Sequence, residues 1–468
     1  MFDDRPVQGR TGVSTERHLL LIAYHFPPRG GSGVQRALKL ARYLPQSGWR
    51  AHVICAGHRH FPLMDESLLE EADTASVYPT RGYEPAAIAE RLGDTVGALI
   101  GGRNPGDSLA WRLNLWFDRL GLNQLLMERE RLWTPSAYAQ ARQIARQYPI
   151  EAVVTTSPVC VTHLVGRRIK RRLGLPWIAD LRDPIVDNFV RETRSAFVQR
   201  SRRRIEQQVL CEADQVVVTC PELSDRLTER YASAITRPIL TIPNGYDPAD
   251  CPAAPARNSS GMDRFTLTYV GSFYREQSVL PLVEALRELR QMQTELPARI
   301  ILRIVGSIAE SQRLLLREKD RDLIEIVGYQ THAQAVAEMT AADALILTIP
   351  SNEGGRYCIP AKVYEYLAFG GHILANVHPG TAIAGILQQA GGCTLLTESS
   401  PQAWRQAIVQ CCMEWKAGQL TTRHRTEVVE RFRRDWLTAL YARAIEGCLT
   451  PGEERLALPD PFSSKEAA

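Results

Sequence analysis

The chain has 468 residues, 44% of them apolar, and 56 lysines and arginines against 52 aspartates and glutamates leave a net charge of +4. That length exceeds what one hydrophobic core usually serves, so two domains are expected, and so even a charge balance excludes a dedicated nucleic-acid binder. The ten cysteines, from Cys55 to Cys448, form no C-x-x-C pair and no Cys/His cluster, which points to reduced thiols rather than disulfides or a structural metal.

Met1 to Glu16 is polar, and the apolar run Leu19 to Tyr24 is too short for a signal segment or a membrane span, so a cytoplasmic location is expected. Leu19-Leu20-Leu21-Ile22-Ala23 reads as a strand buried on both faces. It is followed by the loop Tyr24 to Arg36, which contains Gly30, Gly31, Ser32 and Gly33, and then by a helix through Leu38, Leu40, Ala41 and Leu44. Strand, glycine loop and helix together bring backbone N–H groups close to a ligand, although the match to G-x-G-x-x-G is poor and a plain tight turn is the alternative. Ala51 to Cys55 is the next strand. Phe61 to about Glu130 breaks the rhythm, with helices expected near Pro85 to Ile100 and Leu109 to Leu120.

The βα rhythm returns with a helix over Ala137 to Gln147, a strand over Ala152 to Thr155 and a helix over Val161 to Leu173. That helix carries Arg167, Arg168, Lys170, Arg171 and Arg172, a charge run that suits either an anionic membrane surface or a solvated face. The strand Trp177-Ile178-Ala179 runs into Asp180, Arg182 and Asp183, and charged residues at the carboxyl end of a buried strand mark where open α/β sheets bind ligands. The alternative is a structural arginine, with Arg182 bridging Asp180 and Asp183. A second basic helix over Ser195 to Cys211, strands at Gln215 to Thr219 and Ile239 to Pro243, and a Pro/Ala/Asn/Ser-rich linker to Gly261 complete the first half.

Phe265 to Val270, followed by Gly271-Ser272, restarts the pattern, and strands at Arg299 to Val305, Ile324 to Val327 (with Gly328-Tyr329) and Ala344 to Leu347 continue it. Strands alternating with helices imply parallel sheets whose loops gather at one end, so two such units face each other across a cleft. Ile359 to Gly371 then reads as a short helix, opened by Pro360 and ended by Gly370-Gly371. Lys362 and Glu365 lie on one face of its first turn, where free N–H groups favour an anion such as a phosphate; an ordinary i,i+3 surface ion pair is the alternative. A helix from Thr421 to Gly447 could pack back across the interface, and the tail after Leu449 is expected to be disordered.

Taken together, Tyr24-His25-Phe26-Pro27-Pro28 with Gly30 to Arg36, Thr155 to Pro158, Gly174 to Pro184, Pro243 to Asp247 and Lys362-Val363-Tyr364-Glu365-Tyr366-Leu367-Ala368 resemble the retaining GT-B glycosyltransferases of family 4, in the branch that builds bacterial cell-surface polysaccharides. The resemblance implies an α/β GT-B fold: a Rossmann-like acceptor-side domain over 17–243, a linker over 244–262, a Rossmann-like nucleotide-sugar domain over 263–425, a cross-over helix over 426–448 and a tail over 449–468.

It also implies that Glu365 accepts hydrogen bonds from the donor ribose, that backbone near Ile359 and Gly271-Ser272 faces the diphosphate, that Gly30 to Gly33 approach from the other domain, and that Tyr329 lies where the base is read. The pattern departs in two places. Tyr357 stands where an E-x7-E pair would put its first glutamate, with Glu353 the nearest acid upstream, and the usual cations after the first C-domain strand are reduced to Arg275, with Lys362 sharing their task. A catalytic-region histidine is not evident, its place being taken by Asp180, Arg182 and Asp183.

The expectation is therefore a transferase moving a sugar from a UDP- or GDP-sugar to a glycan or lipid-linked acceptor, with no cofactor and no metal, cytoplasmic or peripheral on the inner membrane face. A sugar-nucleotide epimerase, a glycosyl phosphorylase or a catalytically inactive partner subunit are the alternatives.

Overall fold

The computed structural model describes residues 16–57, 64–81, 129–188, 195–235, 237–251, 264–273, 277–292, 296–297, 299–350, 352–450 and 458–463. The helices expected near Pro85 to Ile100 and Leu109 to Leu120 lie outside these residues, as does Arg275.

The first half folds around β1 (Arg17–Ala23), whose apolar run explains its central place. Leu20 and Ile22 enter the core on one face, Leu19 and Leu21 the core on the other, and all four are sealed from solvent. With β2 (Trp49–Gly57), β3 (Ser76–Arg81), β4 (Ile150–Thr156), β5 (Trp177–Leu181), β6 (Gln215–Val218) and β7 (Leu240–Thr241) it forms a parallel sheet ordered β3-β2-β1-β4-β5-β6-β7.

Helix α1 (Ser32–Tyr43) packs on one face; α2 (Thr134–Gln147), α3 (Val161–Leu173), α4 (Ala196–Glu212) and α5 (Pro221–Arg230) put their apolar stripes into the core on the other. The order turns at β1 and β4, so the loops after these two strands open at the point where such sheets hold ligands.

The second half repeats the plan with β8 (Arg264–Val270), β9 (Arg299–Val305), β10 (Ile324–Gly328), β11 (Ala344–Thr348), β12 (His372–Asn376) and β13 (Cys393–Leu396), in the parallel order β10-β9-β8-β11-β12-β13. Helices α6 (Leu280–Gln291) and α10 (Pro401–Lys416) cover one face; α7 (His332–Ala341), α8 (Lys362–Phe369) and α9 (Ala382–Ala390) cover the other. The last helix, α11 (Arg434–Leu449), returns to pack on α1 of the first half.

One apolar cluster runs unbroken from the first domain to the second, taking in Val159, Ile185 and Cys220 on one side and Tyr357, Ile359 and Tyr364 on the other. The two chain passages between domains are bonded to each other. Tyr246 N donates to the Phe432 carbonyl at 3.0 Å and Arg434 N to the Tyr246 carbonyl at 2.9 Å. A Cβ on Gly245 would stand 2.1 Å from that Phe432 oxygen, which is why the passage needs glycine there.

Within the tail, residues 458–463 differ from expectation: Leu458 packs on the first domain's core, Phe462 packs edge-on to Phe432, and Arg431 donates to the Ser463 carbonyl at 2.8 Å. The two apolar anchors, four residues apart, hold this segment. No helix among the described residues is long and apolar enough to cross a membrane.

Candidate functional site

Helix α8 starts two residues later than Pro360, which with Ala361 makes the turn that leads into it; Gly370 and Gly371, at φ 87° and 103°, end it. Its placement is fixed by Tyr366, whose hydroxyl accepts from Val270 N at 2.9 Å and so pins the helix to β8. One turn earlier, Lys362 is thereby laid over the Tyr269 ring, with Nζ 3.6 Å from the ring centroid. Gly271 borders the same ammonium, since a Cβ there would lie 3.5 Å from Nζ. Ser272 closes the neighbouring strand end, with its hydroxyl 2.7 Å from that of Ser307.

No carboxylate lies within ion-pairing distance of Lys362 among the described residues, so the surface-pair alternative with Glu365 does not hold. Burial lowers the amine's pKa to about 7, opposed by the nearby Cys358 and Glu365. Glu365 faces the same side with 14% of its side chain exposed, and its nearest cationic partner is His332, at 3.9 Å. Ile359 is buried in the turn before the helix.

Across the cleft, the glycine loop after β1 and Tyr329 after β10 are in direct contact. A Cβ on Gly30 would fall 2.0 Å from the Tyr329 hydroxyl, so only glycine admits this approach. Burial raises the phenol's pKa, Asp65 raises it further, and a hydrogen bond from the Gly31 backbone opposes both. Tyr329 thus sits on the opposite domain's glycine loop while remaining 39% exposed. Gly31 caps α1 with φ 89°, and the backbone of Ser32 and Gly33 begins that helix, which has no acid in its first turn.

The three candidate residues at the carboxyl end of β5 separate. Asp180 is fully buried: its carboxylate accepts a bidentate pair of hydrogen bonds from Arg36 at 2.9 Å, one from Thr156 at 2.6 Å and one from Tyr441 at 2.7 Å. Arg36 also donates to the carbonyls of Ile242 and Pro243. Burial alone would raise the Asp180 pKa, but Arg36 and the other donors outweigh it and hold the carboxyl below its ordinary value. Arg36, not Arg182, is therefore the arginine that forks onto Asp180, and an acid with all its donors in place has no lone pair left for a substrate.

Arg182 and Asp183 do reach the cleft, with Nε 3.4 Å from Oδ2. Their charges reach Cys358 of the second domain, whose thiol is pushed up to about 12 by burial and by Asp183, against the pull of Arg182 and Lys362. Charged groups of both domains therefore converge there.

Tyr357 is buried and its hydroxyl donates to Glu353 at 2.9 Å; Glu353 lies 3.4 Å from Arg226 of the first domain. The acid four residues upstream is thus folded back onto the tyrosine by the 3-10 turn Glu353–Tyr357. Sequence reasoning missed Asp65, Arg226, His332 and Arg434. Their partners lie in other elements, and no spacing announces such pairs.

The basic helix does not present a free charge run. Arg167 and Arg171 bind Glu212 at 2.8 and 2.7 Å, Lys170 binds Asp214 at 2.7 Å, and Arg168 lies over the Tyr138 ring. Only Arg172 of the five has no such partner among the described residues. On α4, by contrast, Arg200, Arg203 and Arg204 have no ion-pair partner among the described residues and are exposed, as is Phe197 at 66%. No group of three His, Cys, Asp or Glu side chains that could hold a metal occurs among the described residues.

Residues 30–245 match the family described as Glycosyl transferase 4-like domain. No curated protein sequence matches the chain. Among solved structures, HepE from Anabaena in complex with UDP and glucose aligns with a TM-score of 0.60 at 14% identity, covering 92% of this chain and 99% of that one. Sucrose-phosphate synthase from Thermosynechococcus elongatus aligns at 0.57 and 15% identity, over 92% and 96%. WaaG, a glycosyltransferase involved in lipopolysaccharide biosynthesis, aligns at 0.55 and 13% identity, over 92% and 100%. Likeness at this level establishes the fold: two Rossmann-like parallel-sheet domains in the GT-B arrangement.

Proposed function

We propose, from the premise that residues 30–245 carry a glycosyl transferase 4-like domain within a GT-B fold, that this protein moves a sugar from a nucleotide-sugar donor to a glycan or lipid-linked acceptor with retention, in the synthesis of cell-surface polysaccharide. The observation that carries this reading is Lys362. A half-buried ammonium with no ion-pair partner, one turn of helix from Glu365 and beside Gly271, is unfavourable until an anion arrives, and a nucleoside diphosphate brings the anion and a ribose together.

In this reading Lys362 and the backbone at Gly271-Ser272 and Ile359 hold the diphosphate, Glu365 takes the ribose hydroxyls, and Tyr329 borders the base. Arg182 and Asp183 face the transferred sugar from the other domain. Asp180 is a positioning residue that holds the end of β5 through Arg36. The reaction needs the leaving diphosphate and an oxocarbenium-like centre to be stabilised, which fixed donors and cations supply by orientation and charge. UDP as the donor's nucleotide draws support from HepE, which was crystallised with it.

The test is release of UDP or GDP from their sugars, with binding of the free nucleotides measured by calorimetry. Glu365→Ala is expected to weaken UDP binding about tenfold, the loss of a hydrogen-bonded pair to a charged acceptor. Unchanged binding would remove the ribose assignment. A second reading, an inactive partner subunit, is favoured only by Tyr357, and it requires nucleotide binding without turnover.

Membrane attachment, as part of the same proposal, moves from α3 to the outward face of α4, where three exposed arginines stand beside an exposed phenylalanine.

A further inference from the structure

His332, the first residue of α7, meets three separate parts of the molecule. Its backbone N–H donates to Oδ2 of Asp65 in the first domain at 3.2 Å. Its Nε2 lies 3.0 Å from Oδ2 of Asp250, just before the second domain begins, and 3.9 Å from Oε1 of Glu365 on α8. Both side-chain contacts fall on one nitrogen, so a single N–H stands between two carboxylates. Asp250 is held in turn by Lys39 at 3.2 Å, and Lys39, almost fully buried, also binds Asp247 at 2.6 Å. Glu365 also faces Arg434, 6% exposed, at the start of the helix that crosses back. Without His332, the Glu365 carboxylate would lose the cation that lies nearest it among the described residues, leaving Arg434 and Lys362 farther off.

We infer that His332 is a positioning residue for the donor site: it ties the Glu365 carboxylate to Asp250 and to Asp65 of the opposite domain, so that ribose capture and closure of the two domains are one event. The inference rests on the reading of Glu365 as the ribose contact. It also explains why the loop from Tyr329 to His332 touches the first domain twice, at Gly30 and at Asp65. Burial lowers the imidazole's pKa, but Asp250 and Glu365 more than offset this and Lys39 opposes them only in part, so the ring stays charged above the ordinary 6.5. That charge is present at low pH and is lost as pH rises through the raised value.

The experiment compares wild type with His332→Gln, Glu365→Ala and Lys362→Met by calorimetric titration with UDP and with uridine, at about pH 6 and about pH 8.5, with GDP and guanosine run in parallel. Uridine carries ribose without diphosphate, so it separates the ribose contact from Lys362. His332→Gln keeps a donor to Asp250 but cannot be charged. It is expected to bind uridine and UDP about fivefold more weakly at pH 6, and to lose the pH dependence that wild type shows with uridine.

Lys362→Met should weaken UDP and leave uridine unchanged. If His332→Gln binds uridine as wild type does at both pH values while Glu365→Ala does not, the inference is wrong and the ribose reading stands. If Glu365→Ala also binds as wild type, the ribose reading has failed instead. Equal melting temperatures of the His332→Gln and wild-type proteins exclude unfolding as the cause, and a melting-temperature loss with an unchanged pH profile overturns the positioning role.

Discussion

Lys362 is stable as an amine and useful as an ammonium, and the two demands can be separated by pH. The unfolded chain holds the extra proton up to 10.5, the folded protein only up to about 7, so the unfolded state binds more protons between these values and stability rises with pH across that window. The cost of the buried charge is thus fully present below about pH 7. Lys362→Met is expected to raise the melting temperature of the ligand-free protein at about pH 6, by roughly 2–4 °C for each kcal/mol relieved, while weakening diphosphate binding.

Binding should behave in the opposite sense. A diphosphate restores the ammonium, so UDP affinity falls as pH rises above about 7 and binding there takes up a proton, seen as buffer-dependent heats in calorimetry. Lys362 and Glu365 were legible in the sequence because one helical turn holds both; His332 was not, because its three partners lie at Asp65, Asp250 and Glu365, each in a different element.

At the scale of elements, local signals located the pieces and charge counting misjudged one of them. Pro360 and the Gly370-Gly371 pair framed α8 to within two residues because they act on the backbone itself. The run of cations on α3 looked like a free basic face, yet Glu212 and Asp214, far along the chain, neutralise three of them. If a helix meets an anionic surface it is α4, and replacing Arg200, Arg203 and Arg204 by Gln should abolish co-sedimentation with phosphatidylserine vesicles at about 0.1 M salt, at roughly 1 kcal/mol per charge. Neutralising Arg167 and Arg171 should leave it unchanged; loss of binding in that variant would return the role to α3.

The glycine loop makes a different prediction. Gly30→Ala puts a methyl where the Tyr329 hydroxyl sits, and because that hydroxyl ends a partly exposed side chain, it can swing away. Overall stability should change by less than about 1 kcal/mol, while the contact of Tyr329 with the glycine loop is lost and small-angle scattering reports a larger radius of gyration. Gly30→Ala/Tyr329→Ala should scatter like Gly30→Ala alone.

For the whole molecule, alternating strands and helices made two parallel sheets legible, because the continuous apolar runs at Leu19 to Ala23 and Ala344 to Leu347 need cover on both faces. What ties the last helix to the first sheet was hidden. Arg36 and Asp180 stand 144 positions apart, and Tyr441, which completes their buried group, comes from the last helix. Asp180→Asn leaves the guanidinium buried without its counter-charge and is expected to cost about 3–5 kcal/mol in urea unfolding; Arg36→Met with Asp180→Leu should recover most of it. An equal loss in both would mean that packing, not charge, sets the value.

The pairing of Tyr246 with Phe432 and Arg434 has a mechanical consequence. Two chain passages that could have flexed independently are stitched into one ribbon, and a ribbon resists shear and stretch while it bends and twists about a line. Any motion of one domain against the other is accordingly expected to follow one rotational coordinate rather than the several that two separate tethers would allow. Distances between labels on opposite rims of the cleft should then change together along a single coordinate, and single-molecule energy transfer from two label pairs would plot as a curve, not a cloud.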